Sequence, residues 1–396
     1  MFIENGFLPE NKFWKYIVGS VLIILAATIG QIPLMVAIFV KSFSSGKHFP
    51  TDESEIMTFL EPNTTLFLIL LSFVFAFFAI ILVVRNFHKQ TLLSVTTSRE
   101  KVDWKRVFFS FGIWSVFTIV STVIMYYSSP ESFVVNFKPI PFLILAGIGI
   151  LLIPIQTSTE EYVFRGYLMQ GFGIGALQKK FLIGILYTFL FVLIYISIEI
   201  LIEKLINSKS TINFFTSLTS LTKVLIFIFS ILIIFFIDFI LTKFNFFESN
   251  FYCNLYKKGK TKLVPLVMTS VIFGVMHIAN PEVEKMGYII LVYYIGTGFF
   301  LGIITLMDEG MELALGFHAA NNLVGALLIT SDWSAFQTHS ILKDNSLPSV
   351  GFEILVPIFI IFPILLFIFS KKYNWTNWQD KLTGKIEMNN ENQIHK

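Results

Sequence analysis

Cysteine is almost absent from this chain, with Cys253 alone in 396 residues, and charge is scarce, at 14% Asp, Glu, Lys and Arg. A single thiol closes no internal disulfide and builds no thiolate metal cage. A soluble globular chain carries about 25% charged residues, so this one cannot clothe a water-facing surface. An ordinary cytosolic enzyme, a disordered regulator and a secreted disulfide scaffold are excluded. The net charge of +3 supplies no basic surface for nucleic acid. There is also no Gly-x-Ser-x-Gly elbow, no His-Glu-x-x-His zinc motif, no P-loop and no internal repeat.

What is abundant is apolar: 55% of the residues are hydrophobic, 46 are Phe, and the mean hydropathy is +0.74. A membrane crossing needs roughly 17–25 apolar residues. Ten segments qualify: 16–40, 64–84, 107–127, 139–173, 182–202, 223–243, 263–281, 287–307, 311–330 and 351–370. The first is too long for the core of a cleavable signal peptide and reads as a retained span. The expected fold class is therefore all-α, a polytopic transmembrane helical bundle of about ten spans with a polar intramembrane cavity. N-terminal transmembrane helices occupy 1–138, a core 139–330 with an insert at about 178–262, a loop and last helix 331–370, and a polar, solvated cytoplasmic tail 371–396.

Loop charge sets the expected orientation. The stretch 85–106 carries Arg85, Lys89, Arg99, Lys101, Lys105 and Arg106, and 244–262 carries Lys257, Lys258, Lys260 and Lys262. By contrast, 41–63 is acidic, with Asp52, Glu53, Glu55 and Glu61 against Lys41 and Lys47. Ten spans put both basic loops and both termini on one side, the cytoplasm. Within spans, Gly298 and Gly302 form a small-xxx-small pair for close helix approach. Gly171, Gly173 and Ala176 match a dinucleotide fingerprint only by chance, since no strand precedes them.

A charge at the centre of a membrane helix costs roughly 2.5–3.5 kcal/mol on insertion scales, so such residues face a cavity or a partner. Three clusters stand out. In LLIPIQTSTEEYVFRGYLMQGFG, Glu161 and Arg165 are four apart and meet on one helical face, while Glu160 is turned about 100° away. Arg165 would neutralise Glu161 and leave Glu160 for acid–base work. Thr157, Ser158 and Thr159 could satisfy backbone loosened at Pro154. In TSVIFGVMHIANP, His277 follows Phe273 by one turn; in LALGFHAANNLVG, His318 and Asn322 share a face beside Asn321. Each cluster alone has a bland reading as an interfacial ion pair or a packed histidine. The other histidines, His48, His88, His339 and His395, fall in loops or the tail. Glu199 and Asp238 lie near helix ends, where snorkelling or mutual pairing accounts for them.

These groups permit water activation. Glu160 with His277 could deprotonate water, while His318 and Asn322 could donate to a developing oxyanion. They equally permit a metal: Glu160, His277 and His318 would suffice to hold zinc with an open fourth position, although Asn322 is a poor zinc ligand. A cysteine or serine nucleophile and an aspartyl pair lack the residues they need.

Taken in order, Glu160-Glu161-x-x-x-Arg165, Phe273-x-x-x-His277 and His318-x-x-x-Asn322 resemble the CAAX prenyl endopeptidase type II family and its bacteriocin-processing (Abi, CPBP) relatives, over roughly 139–330. The resemblance implies an intramembrane endopeptidase whose cavity opens toward the cytoplasm. Glu160 and His277 match its water-activating pair, Glu161 and Arg165 its supporting charges, and His318 and Asn322 its oxyanion positions. It implies a peptide or membrane-protein substrate within a lipid bilayer, no nucleic acid and no obligatory cofactor, with zinc as the older alternative. An Ile-, Phe-, Asn- and Lys-rich composition points to an AT-rich bacterial genome, and the expected location is the plasma (inner) membrane. The insert departs from the family pattern, and it must contain an even number of spans to keep His277 in the right direction. Two other functions compete: a non-catalytic immunity or scaffold protein, and a proton-coupled transporter, which the lack of repeated halves disfavours.

Overall fold

The computed structural model describes residues 2–46, 48–50, 53–207, 219–348 and 351–387. Among them the chain is an all-α polytopic bundle. Eight helices are long and apolar enough to cross a membrane: Phe13–Ser45, Pro62–Phe87, Trp104–Ser128, Pro139–Ala176, Phe181–Ile202, Thr222–Lys243, Ile290–Asp308 and Ile354–Lys372. Each overlaps one of the ten segments expected from the sequence. The two remaining segments form helices of only 13 and 17 residues, Leu263–Val275 and Glu312–Leu328. At 1.5 Å per residue they reach ~20 and ~26 Å, short of a ~30 Å hydrocarbon core. Short or interrupted helices are tolerated at membrane depth when other helices enclose them. These two helices bring in the histidine motifs.

The principal helices are α1 (Phe13–Gly30), α2 (Ile32–Ser45), α3 (Pro62–Leu82), α4 (Trp104–Ser128), α5 (Pro139–Glu161), α6 (Met169–Ala176), α7 (Phe181–Asn207), α8 (Thr219–Lys243), α9 (Asn250–Gly259), α10 (Leu263–Val275), α11 (Pro281–Met286), α12 (Ile290–Asp308), α13 (Glu312–Leu328), α14 (Phe362–Lys372) and α15 (Trp378–Thr383). The chain divides into two compact units. One comprises Met1–Ile174 with Lys262–Lys396; the other is Gly175–Thr261. In the smaller unit, α7 pairs with α8, and Asp238 accepts from Lys180 at 3.2 Å and from Tyr187 at 3.1 Å. Asp238 is therefore paired by Lys180; the side chain of Glu199 lies outside the described residues.

In the larger unit, α13 packs along α4 and α5, α10 against α12, and α3 against α1 and α5. Close approach depends on glycine at two places. A Cβ on Gly298 would stand 2.6 Å from the Ser270 carbonyl oxygen of α10, and one on Gly316 would stand 2.0 Å from the Val107 carbonyl of α4. Proline starts α5 at Pro139 and interrupts it at Pro154, where the ring removes a backbone donor. Thr157 donates to the Ile153 and Pro154 carbonyls at 3.1 and 3.3 Å. After Glu161 the helix widens into a π turn over Tyr162–Leu168, a distortion frequent at functional sites.

The two ends of this unit differ in chemistry. At one end, Arg99 pairs with Asp308 and Glu312 at 3.1 Å each, Arg106 also pairs with Asp308, and the Trp375 indole donates to Asp308 at 3.0 Å. The same end holds the first residues: Phe2 donates to Glu309 at 2.8 Å and Asn5 to the Ser94 carbonyl at 3.1 Å. The segment from Lys371, expected as a solvated tail, is anchored at several points before Glu387. Lys381 donates to the Met307 carbonyl at 2.9 Å, Lys262 to that of Asp380 at 3.0 Å, and Trp375 and Ile386 are buried; 388–396 lie outside the described residues. At the opposite end, three short strands that the sequence reading did not anticipate form a sheet in the order β1 (Phe133–Val135), β3 (Leu342–Asp344), β2 (Ile329–Ser331), with β1 antiparallel and β2 parallel to β3. Glu61–His339 at 2.8 Å and Glu282 accepting from the Ala335 amide at 2.8 Å tie the connections there.

Candidate active site

Of the six predicted site residues, Glu160, Glu161, Arg165 and His318 are joined by direct contacts, and Asn322 joins them through Gln156. Glu161 and Arg165 are both fully buried, 3.4 Å apart across the start of the π turn. The guanidinium also donates to the Gly298 carbonyl at 3.3 Å and lies 4.1 Å from the centroid of the Phe273 ring. Such a desolvated cation over an aromatic face is favourable by about 2 kcal/mol. Arginine, always charged and planar, can bridge a carboxylate, a carbonyl and a ring at once.

His318 stands between the two glutamates. Its Nδ1 lies 2.7 Å from Glu161 Oε1 and its Nε2 3.6 Å from Glu160 Oε2, the second distance exceeding a hydrogen bond. Glu160 is therefore not left free by the Glu161–Arg165 pair, as the sequence suggested. It shares His318 with Glu161 and accepts on Oε1 from the Gln156 amide one turn earlier. Gln156 in turn accepts from Asn322 Nδ2 at 3.0 Å, Asn322 Oδ1 accepts from Asn321 at 3.0 Å, and Asn321 Oδ1 accepts from the Trp114 indole at 3.1 Å. Glu160 keeps a partly exposed side chain, 16% accessible, whereas Glu161 has none.

His277 is the residue the contacts do not draw in directly. Helix α10 ends at Val275, so the histidine sits in the turn beyond it rather than inside a span. Its Nδ1 is 2.7 Å from the Phe273 carbonyl, which can only accept. That fixes the proton on Nδ1 and leaves Nε2 as the acceptor of the neutral ring. Tyr294 stacks on the imidazole at 4.4 Å and 20°, and Phe273 reaches both histidines, with centroids 4.8 Å from His277 and 6.1 Å from His318. His277 is within electrostatic reach of Glu160, His318 and Arg165.

Sequence reasoning missed Gln156, Trp114 and Tyr294. The i, i+4 spacing of Gln156 and Glu160 was a usable signal, as was the need of a buried tryptophan N–H for an acceptor. Among the described residues no group of three or more His, Cys, Asp or Glu side chains is disposed to hold a metal ion. Within Glu160, His277 and His318, Nδ1 of each histidine and Oε1 of Glu160 have protein partners, which leaves Nε2 and Oε2 as the atoms that could face a metal, as is usual for metal-ligating histidines.

A polar cluster of carboxylates, imidazoles and amides enclosed by apolar helices defines a membrane-embedded protein with a site equipped for proton transfer. Residues 224–324 match the family described as type II CAAX prenyl endopeptidase, Rce1-like. The matched segment contains His277, His318 and Asn322; the Glu160 motif lies upstream of it, and the segment is narrower than 139–330. The chain is also similar to the uncharacterized protein YyaK of Bacillus subtilis (strain 168), at 24% identity over 329 residues, covering 83% of this chain and 81% of that protein. No solved structure matches.

Proposed function

We propose that the chain is an intramembrane endopeptidase that hydrolyses a peptide or membrane-protein substrate without an obligatory metal. The observation carrying this reading is the convergence of the Glu160 and His318 motifs on the His318–Glu161–Glu160–Gln156–Asn322 cluster, with Phe273 of the third motif under the Arg165 guanidinium. The family match supports the reaction class.

In the proposed reaction, water binds between Glu160 and His277. Glu160 accepts its proton through Oε2, the oxygen not engaged by Gln156, and His277 Nε2 orients the second O–H. The water oxygen bonds to the scissile carbonyl carbon, and the electron pair of the C=O bond moves to oxygen. Asn322, with one amide hydrogen committed to Gln156, offers the other to this oxyanion. For His318 to donate as well it must carry both ring protons, standing as a cation between Glu160 and Glu161. The C–N bond then breaks, and the proton held by Glu160 passes to the leaving amine. Glu161 and Arg165 hold His318 and α12 in place without touching the substrate.

The Lys/Arg asymmetry supports cytoplasmic termini in a bacterial plasma membrane. With that orientation the His277 turn, which adjoins α11 and its tie to Ala335, lies on the face away from the cytoplasm, against the cytoplasm-facing cavity that the resemblance implies.

The test is cleavage of a panel of quenched fluorogenic peptides by the purified chain in detergent, with and without chelator. Cleavage that survives chelator and is lost in Glu160→Ala and His277→Ala, both still folded, supports the reading. Chelator-sensitive cleavage, or undiminished cleavage by Glu160→Ala, would sink it.

A further inference from the structure

The amides beside Glu160 form a chain whose direction is fixed at both ends. A tryptophan indole N–H can only donate, and an ionised carboxylate can only accept. Trp114 Nε1 donates to Asn321 Oδ1 (3.1 Å), Asn321 Nδ2 to Asn322 Oδ1 (3.0 Å), Asn322 Nδ2 to Gln156 Oε1 (3.0 Å), and Gln156 Nε2 to Glu160 Oε1. Turning any one amide over sets oxygen against oxygen or nitrogen against nitrogen at both of its neighbours. The amide orientations, ordinarily ambiguous from heavy atoms alone, are here dictated by the two termini. The origin of the chain is rigid: Trp114 is buried and packs against Phe317 of α13 at 4.4 Å and stacks on Phe117 at 4.8 Å.

We infer that Trp114 and Gln156 are positioning residues for the proposed hydrolysis, forming with Asn321 a one-way amide relay that sets Glu160 and Asn322 together. This rests on the reading of the site given above. The relay has two effects. It occupies Oε1 of Glu160, so that proton transfer falls to Oε2, the oxygen on the His318 side. It also spends one hydrogen of the Asn322 amide on Gln156 and fixes the plane in which the second is presented. A base and an oxyanion donor from different helices, α5 and α13, are thus held in one register by a residue of α4. Chemical steps are sensitive to this register, since a misplacement of about 1 Å can cost roughly 100-fold in rate.

The full-length protein tests it in two arms. In the first, the most rapidly cleaved peptide of the panel is assayed with Trp114→Phe, which keeps the ring packing but has no donor, with Gln156→Leu, and with Asn321→Asp, which is isosteric but cannot donate onward to Asn322. Each is expected to lower kcat at least about tenfold with KM within about twofold, at unchanged melting temperature. Unchanged kcat in Gln156→Leu, or an Asn321→Asp variant as active as wild type, overturns the relay. In the second arm, which needs no substrate, the ¹⁵N-indole resonances of the tryptophans are recorded in micelles, with Trp114→Phe assigning the Trp114 signal. Gln156→Leu, two amides away, should displace that signal; an unmoved signal overturns the relay. If the wild type cleaves no peptide, the hydrolase reading fails, and the relay stands or falls on the indole signal.

Discussion

Removing the Arg165 side chain tests how the buried charges are held. Arg165 and Glu161 have no solvent exposure, and the guanidinium is the only cation paired with Glu161 by direct contact among the described residues, apart from whatever charge His318 carries. Breaking a buried ion pair by deleting one partner costs about 3–5 kcal/mol, because the other charge is stranded. Arg165→Met also loses the stacking over Phe273, about 2 kcal/mol when desolvated. The methionine restores part of the packing, and Glu161 keeps its 2.7 Å contact to His318. The low end of the range, ~3 kcal/mol, is therefore expected. Glu161→Gln in the same background removes the stranded charge, so the double variant should regain most of the loss. Reversible unfolding in mixed detergent micelles, applied to both singles and the double, closes the cycle. A single variant as stable as wild type, or a double as unstable as Arg165→Met, would refute the account.

Four further outcomes follow from the geometry. Burial, with the Lys15 charge adding to it, pushes the imidazole of His88 down to about 4; its neutral ring sits 3.0 Å from Asn11 Oδ1 and 2.9 Å from the Tyr167 hydroxyl. Below the unfolded value near 6.5 the unfolded chain binds the proton first, so stability is full above pH 6.5 and falls by about 3 kcal/mol as pH drops toward 4; melting scans should show this, and His88→Gln should flatten it. Gly316→Ala would force a Cβ into the Val107 carbonyl and should destabilise by about 1–3 kcal/mol, read as a lower melting temperature. On Cys253→Ser protein in intact cells, an impermeant maleimide should label Tyr288→Cys but reach Lys101→Cys only after permeabilisation; the reverse pattern would invert the proposed orientation. Dialysis against EDTA should leave peptide cleavage unchanged, and zinc-restored activity would count against the metal-free reaction.

The long apolar runs were legible because membrane burial imposes a length on sequence, and each of the eight long helices overlaps a predicted segment. The two shorter ones were over-read, since hydropathy continues through His277 and beyond Val275 while the backbone turns. Charged residues at depth were legible by their rarity. Gln156 and Trp114 were not, because an uncharged amide or an indole in an apolar helix looks like filling until its partner 166 or 207 residues away is known. His88 read as a loop residue, yet it is fully buried beside Tyr16 and Tyr167. Loop charge likewise concealed the Arg99–Asp308–Glu312 network, in which Arg99 is more than 200 residues from both of its partners.

Polar side chains of α5 and the π turn that continues it come in two successive pairs, Gln156 with Glu160 and Glu161 with Arg165, each four residues apart. During synthesis this helix enters the bilayer long before α13 exists. Its carboxylates would otherwise wait in hydrocarbon for partners 157 and more residues downstream. With an amide for one glutamate and a guanidinium for the other, the segment carries its own escorts through insertion and hands its charges to His318 and Asn322 only when the last core helix arrives. The same four side chains thus serve biogenesis first and the finished site afterwards.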